Sequence, residues 1–178
     1  QVLFRRFKSF HLKNEKRNLF ENIASNKKPI IYEKSKLFSF SQDQVFDVVK
    51  NVDSYKVFLP YCEESSIYDI KENTAKGTMT VGCFGVREIF QSFIEFEKPN
   101  YVISTSKGGI FDTLVSHWKF NEGLTDRNQT CNVNFRLKGV IKSHLYFSLI
   151  ALNLLRMSEH LITSFEKRCF IMYQHKLK

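Results

Sequence analysis

Residues 143–173, SHLYFSLIALNLLRMSEHLITSFEKRCFIMY, run for roughly 30 positions without a proline or a glycine. That is far beyond the usual length of a strand, so the stretch reads as one long helix. On it Ile150, Leu154, Met157, Leu161, Phe165 and Cys169 follow one another by three- and four-residue steps. Asn153, Arg156, Glu159, His160, Thr163, Glu166 and Lys167 take the remaining faces. An apolar stripe of this kind has to be buried against another element.

What it can be buried against lies upstream. Six segments alternate with period two: Ser66 to Lys71, Lys76 to Cys83, Val86 to Glu97, Tyr101 to Lys107, Thr113 to Phe120 and Thr130 to Leu137. Turn material separates them, as at Glu72-Asn73, Gly82 to Gly85, Pro99-Asn100, Gly108-Gly109 and Gly123 to Asn128, which predicts antiparallel strands joined by hairpins. The alternating sets Met79/Val81/Cys83, Leu114/Ser116/Trp118/Phe120 and Cys131/Val133/Phe135/Leu137 are expected on the covered face; on Val86 to Glu97 the Phe90/Ile94/Phe96 set is favoured over Ile89/Phe93. Before them, a strand over Lys34 to Phe40 meets a capping box, Ser41-x-x-Gln44, and a helix carrying Val45, Phe46, Val48 and Val49 that stops near Asn51. Asp53 is expected to cap a second short helix over Ser54 to Leu59, closed by Pro60. The order is strand, two small helices, six strands, long helix: an α+β domain whose curved antiparallel sheet wraps the final helix.

Charge divides the chain. Of 27 Lys and Arg and 18 Asp and Glu, residues 1 to 36 hold ten and three, leaving the rest nearly balanced. Leu3, Phe7 and Phe10 recur at helical spacing among Arg5, Arg6, Lys8, Lys13, Lys16 and Arg17, as in an organelle presequence. Residues 1–32 are therefore expected to be a basic leader, 33–174 the folded domain and 175–178 a tail; a start at Gln1 rather than Met suits a fragment or processed form. Nucleic acid is not an expected partner, since the domain is close to neutral and shows no RNP, zinc-finger or helix-turn-helix pattern. Cys62, Cys83, Cys131 and Cys169 lie 21, 48 and 38 residues apart, which matches neither a metal knuckle nor a dense disulfide framework.

Catalytic patterns are weak. His117, His144 and His160 stand at no nucleophile or metal spacing, and there is no GxSxG, P-loop, GxGxxG or HExxH. Glu88, within an apolar strand, is the carboxylate that a buried setting would turn into an acid or a hydrogen-bonding group. With 18 Phe in the chain, an apolar-lined concave face also suits a lipidic or aromatic ligand.

The segment Val48-Val49-Lys50-Asn51-Val52-Asp53-Ser54-Tyr55-Lys56-Val57-Phe58-Leu59-Pro60-Tyr61-Cys62 resembles the VxxVxxYxxFLPxC stretch of the mitochondrial coenzyme Q-binding proteins, within the START-like, polyketide-cyclase superfamily. Val81-Gly82, Lys98-Pro99, Leu114-x-x-x-Trp118-x-Phe120 and Phe165-Glu166-Lys167-Arg168 match the same family in order. The resemblance implies a helix-grip (START-like) fold and a non-enzymatic role with no catalytic cofactor or metal. The bound ligand would be ubiquinone or a related isoprenoid lipid, carried or chaperoned for respiration at the matrix side of the mitochondrial inner membrane. The expected partners are that membrane surface, held peripherally, and respiratory-chain components.

Carried over by position, Tyr55, Phe58, Leu59, Pro60 and Tyr61 would form a lip of the tunnel, with Trp118 and Phe120 on the sheet; the family's usual Trp after its Pro is Tyr61 here. Phe46, Met79, Val81, Phe90, Val133, Phe135, Leu154, Met157, Leu161 and Phe165 complete the expected lining. Between Leu145 and Leu155 the apolar residues surround the helix completely, and Leu145, Phe147, Leu149 and Leu152 are expected to dock on the bilayer. Two other functions suit the same fold: a cyclase-type enzyme using Glu88 or a tyrosine on a bound ring, and a ribosome- or protein-interaction module.

Overall fold

The first helix is fixed locally. Ser41 Oγ accepts from Gln44 N–H at 3.3 Å while Gln44 Oε1 accepts from Ser41 N–H at 2.9 Å, so the expected capping box is present at both ends. Two otherwise orphaned N–H groups are thereby satisfied. The computed structural model describes residues 29–83, 86–125, 129–142 and 147–174, with backbone alone at 83, 86 and 147–156.

In chain order the elements are β1 (Ile30–Phe38), α1 (Gln42–Lys50), a 3-10 turn (Val52–Ser54), α2 (Tyr55–Phe58), β2 (Cys62–Tyr68), β3 (Thr74–Cys83), β4 (Val86–Glu97), β5 (Tyr101–Gly108), β6 (Phe111–Glu122), β7 (Cys131–Ile141) and α3 (Phe147–Tyr173). All seven strands form one antiparallel sheet in the order β1-β7-β6-β5-β4-β3-β2. Six of them make a hairpin meander; the first strand returns to close the edge beside the last. Register shifts at Cys62/Glu64, Ser106/Gly108 and Phe111/Thr113 mark bulges. Each bends its strand and increases the local twist, which gives the sheet its curvature. Between β5 and β6, Gly108 and Gly109 have φ of 128° and 56°, a backbone that a side chain would strain.

Three expectations are corrected. β1 is Ile30–Phe38 rather than Lys34 to Phe40, so it begins within the stretch taken as leader. Tyr32, Lys34 and Lys36 stand on its concave side by register, and two of these three are charged, which hides the alternation. Asp53 caps no helix: α2 begins after Ser54. The Asp53 carboxylate instead accepts from Ile67 N–H at 2.8 Å, and its carbonyl accepts from the Ser65 hydroxyl at 3.3 Å, pinning the turn to β2. Among the described side chains of α3, Phe165 and Cys169 are buried as expected, while Ser158 and Ile162 are buried in place of their neighbours Met157 and Leu161, which are half-buried. The stripe turns because this half of the helix lies along α1, α2 and the β1–β7 edge.

The concave face holds two apolar clusters. The larger joins α1, α3, β1 and the strand ends through Phe38, Phe46, Val49, Phe96, Trp118, Phe120, Val133, Phe135, Phe165 and Cys169. The smaller contains Ile30, Phe90, Phe111 and Ile141, with Met79, Val81, Ile110 and Leu114 packed on it. Phe90, Ile94 and Phe96 are buried while Ile89 and Phe93 are 53% and 47% exposed, so β4 presents the favoured face. At the edge strand, Lys36 Nζ reaches Glu166 on α3 at 2.6 Å and Lys34 reaches Glu159 at 3.6 Å. Inward-pointing lysines also discourage a second sheet from pairing there.

Candidate functional site

In the larger cluster, aromatic rings close on one another. Phe165 meets Trp118 at 4.7 Å and Tyr55 and Phe58 edge-on at 5.1 Å each, while Trp118 lies 4.4 Å from Phe135. Phe46 meets Phe120 at 6.2 Å and Phe96 at 6.4 Å. Such edge-on and tilted pairs contribute about 0.5–1.5 kcal/mol each beyond the area they bury. Phe46, Trp118, Phe120, Val133, Phe135 and Phe165 are therefore brought together as packed wall.

The short helix α2 is the lid of that wall. The Tyr55 hydroxyl donates to the Val49 carbonyl, and burial first, then Cys62, pushes its phenol well up. Leu59 N–H donates to the Tyr55 carbonyl at 2.8 Å, Cys62 N–H to the Leu59 carbonyl at 3.3 Å, and Gly82 N–H to the Tyr61 carbonyl at 2.9 Å. These bonds fasten the Leu59-Pro60-Tyr61 turn to β3, with Tyr61 at φ 68°. Phe58 and Leu59 pack against the core, whereas Pro60 and Tyr61 face outward. Arg168 of α3 lies over the Phe58 ring at 5.6 Å, and its Nε has no hydrogen-bond partner among the described residues.

Away from this wall the concave face is less filled. Met79, Val81, Leu114, Ser104 and Ser116 are half-buried, and Phe90 lies in the smaller cluster, 6.2 Å from Phe111. Glu88 is on the same face of β4 as Phe90; its carboxylate lies over Gly109, where an added Cβ would meet Oε2 at 2.2 Å. Leu161 packs on the larger cluster and Met157 is half-buried. Leu154, Phe147, Leu149 and Leu152 lie on α3 with side chains outside the described residues, and Leu145 is itself outside them. His117 is on the outer face, edge-on to Tyr101 at 6.4 Å; burial, then Lys119 and Arg136, lowers its pKa. No group of three or more metal-ligating side chains occurs among the described residues, and no helix among them is long and apolar enough to cross a membrane.

Residues 38–166 match the family model described as polyketide cyclase / dehydrase and lipid transport. The chain belongs to that family. It is 30% identical over 158 residues to "Coenzyme Q-binding protein COQ10 homolog B, mitochondrial" of Xenopus laevis, covering 86% of this chain and 65% of that protein. To the Drosophila melanogaster "Coenzyme Q-binding protein COQ10, mitochondrial" it is 29% identical over 116 residues, or 65% of this chain and 48% of the relative. The chain thus spans between about half and two thirds of these relatives' length. "Ribosome association toxin RatA" of Rickettsia prowazekii is 26% identical over 77% of this chain and 94% of its own.

Among solved structures, a START superfamily protein from Mycobacterium smegmatis superposes with a TM-score of 0.69 at 13% identity over 80% of this chain and 98% of its own. The Zhui aromatase/cyclase from Streptomyces sp. R1128 gives 0.69 at 12%, over 80% and 94%. These two show the fold alone. It is the helix-grip fold expected from the Val48 to Cys62 segment, and the resemblance to coenzyme Q-binding proteins is borne out by the relatives.

Leu114 and Ser116 stand on the covered face that alternation predicts, though neither belongs to the expected lining. Tyr32 and Ser104 were outside both expectations: Tyr32 lay in the supposed leader, and serine in a strand carries no apolar signal. Only the register across the sheet brings these two to the concave face.

Proposed function

We propose that the protein binds coenzyme Q or a related isoprenoid quinone on the concave face of its sheet and carries or shields it, without performing chemistry on it. The observation that carries this reading is the half-buried apolar patch of Met79, Val81 and Leu114 beside a wall of packed aromatics, in a chain whose relatives include coenzyme Q-binding proteins by name at 29–30% identity. An isoprenoid chain fits such a surface, since each buried CH₂ is worth roughly 0.8 kcal/mol. Support of respiration at the matrix side of the mitochondrial inner membrane belongs to the same proposal, favoured by relatives named mitochondrial.

The test uses the single tryptophan. Trp118 is buried in the wall of the site, so titrating delipidated protein with decylubiquinone should quench its emission saturably, with a midpoint at micromolar concentration or below. Quenching that stays linear, as for collisions in solution, would overturn the reading. A cyclase would need Glu88 to be required for turnover of a ring substrate; here Glu88→Gln is expected to leave quinone binding intact.

A further inference from the structure

The two apolar clusters of the concave face meet through Leu114, and the ground around that contact carries hydroxyls. Register places Tyr32 of β1 opposite Leu137, Leu137 opposite Ser116, and Ser116 opposite Ser104. These four residues therefore form one row across β1, β7, β6 and β5, on the side of the sheet that faces α3. The adjacent row contains Gly139, Leu114, Ser106, Ser92 and Gly77. Small side chains dominate the second row, and in the first Ser116 and Ser104 follow Tyr32 and Leu137, so the face is lowered around the serines relative to the aromatic rings on either side.

The hydroxyls in the two rows differ in what they hold. Ser92 and Ser106 satisfy each other at 2.7 Å. The Tyr32 hydroxyl, by contrast, is sealed from water without a hydrogen-bond partner among the described residues, its ring tilted against Phe135 at 6.2 Å. A buried hydroxyl left unsatisfied costs about 1–3 kcal/mol, so such a group marks a place where something else supplies the partner. Burial, then the nearby Glu159, pushes the Tyr32 phenol up. It therefore keeps its proton at neutral pH and offers a donor. The cation nearest in the strand, Lys34, is engaged by Glu159 at 3.6 Å, so the row presents hydroxyls rather than charge. That chemistry suits an uncharged oxygen acceptor and disfavours a carboxylate or phosphate.

We propose that Tyr32, Ser116 and Ser104 form the polar clamp that receives the carbonyl and ether oxygens of the quinone ring, orienting it between the two apolar clusters while the isoprenoid chain runs over Met79, Val81 and Leu114. The inference rests on the quinone-binding reading and adds the residues that recognise the head group. It accounts for specificity: an apolar surface alone retains any hydrocarbon chain, whereas a row of hydroxyls discriminates a ring with oxygens from a chain without them.

The experiment compares two probes on the full, delipidated chain by calorimetric titration: decylubiquinone, with ring and tail, and farnesene, an isoprenoid hydrocarbon with no oxygen. Tyr32→Phe keeps the ring's packing and removes only the hydroxyl; Ser104→Ala with Ser116→Ala removes the other two, and thermal unfolding checks that each variant is folded. Tyr32→Phe should lose about three- to tenfold in affinity for decylubiquinone, the size of one lost hydrogen bond, and the double serine variant at least as much, with farnesene binding unchanged. Equal losses for both probes would overturn the clamp. So would unchanged binding of both, in which case the quinone-binding reading stands without it. A wild-type chain that binds farnesene and not decylubiquinone would remove both.

Discussion

At the scale of single residues, Phe165 is where the long helix, the lid and the sheet meet, through Trp118, Tyr55 and Phe58. Phe165→Ala should lower stability by about 3–5 kcal/mol in urea unfolding, because three aromatic neighbours cannot collapse into the space left. The buried thiols give a pH signature. Burial pushes Cys131 up to about 11 and Cys169 up to about 12. An unfolded thiol ionises at about 8.5, so from there upward the unfolded chain has given up protons that the folded chain retains. Folding is thus undiminished by these groups below about pH 8.5 and weakens progressively as pH rises toward 11 and 12. Urea midpoints at pH 7.5, 9 and 10.5 should fall in that order, less steeply in Cys169→Ala; a flat series would contradict the burial of both thiols. Phe165 was legible from helical spacing and Trp118 from alternation. Tyr32 was not, because its strand carries lysines on the inward face, and those lysines are held there by glutamates on a helix more than a hundred residues away.

At the scale of elements, what the sequence reveals depends on how local the cause is. The α1 cap was readable because four adjacent residues complete it. Ser41→Ala should cost about 1 kcal/mol, seen as a lower thermal midpoint with the fold retained. The role of Asp53 was not readable, since its partners Ile67 and Ser65 come from β2, which only the folded chain brings near. Phe165 and Cys169 of the expected α3 stripe are buried, but at Met157 and Leu161 its phase was missed by one residue for the same reason: spacing defines a stripe, while the neighbours α1, β1 and β7 decide which part of it is covered most deeply. The membrane proposal also belongs to this scale, resting on the apolar turns of α3 around Phe147, Leu149 and Leu152. Phe147→Asp combined with Leu149→Asp should abolish flotation with cardiolipin-containing liposomes while leaving thermal unfolding unchanged. Undiminished flotation would assign the docking elsewhere.

For the whole molecule, the sheet order β1-β7-β6-β5-β4-β3-β2 joins the two ends of the chain's strand sequence only through β1 beside β7. Six of the seven strands were legible as a meander, because hairpins keep partners close in sequence and turn residues mark them. The division of the concave face into a packed aromatic wall, a second cluster and the hydroxyls of Tyr32, Ser116 and Ser104 between their rings was not, since it exists only in the cross-strand register. In the proposed function, that division is what lets a ligand occupy a face that composition would equally describe as core. The central claim, that this face holds a quinone, is tested most directly by extracting the purified protein with organic solvent and identifying its lipids by mass spectrometry. Ubiquinone should be recovered from the wild-type protein, and less from Leu59→Asp, which places a charge at the lid. Phospholipid alone or no lipid in the wild-type extract, with Leu59→Asp indistinguishable from it, would contradict the account.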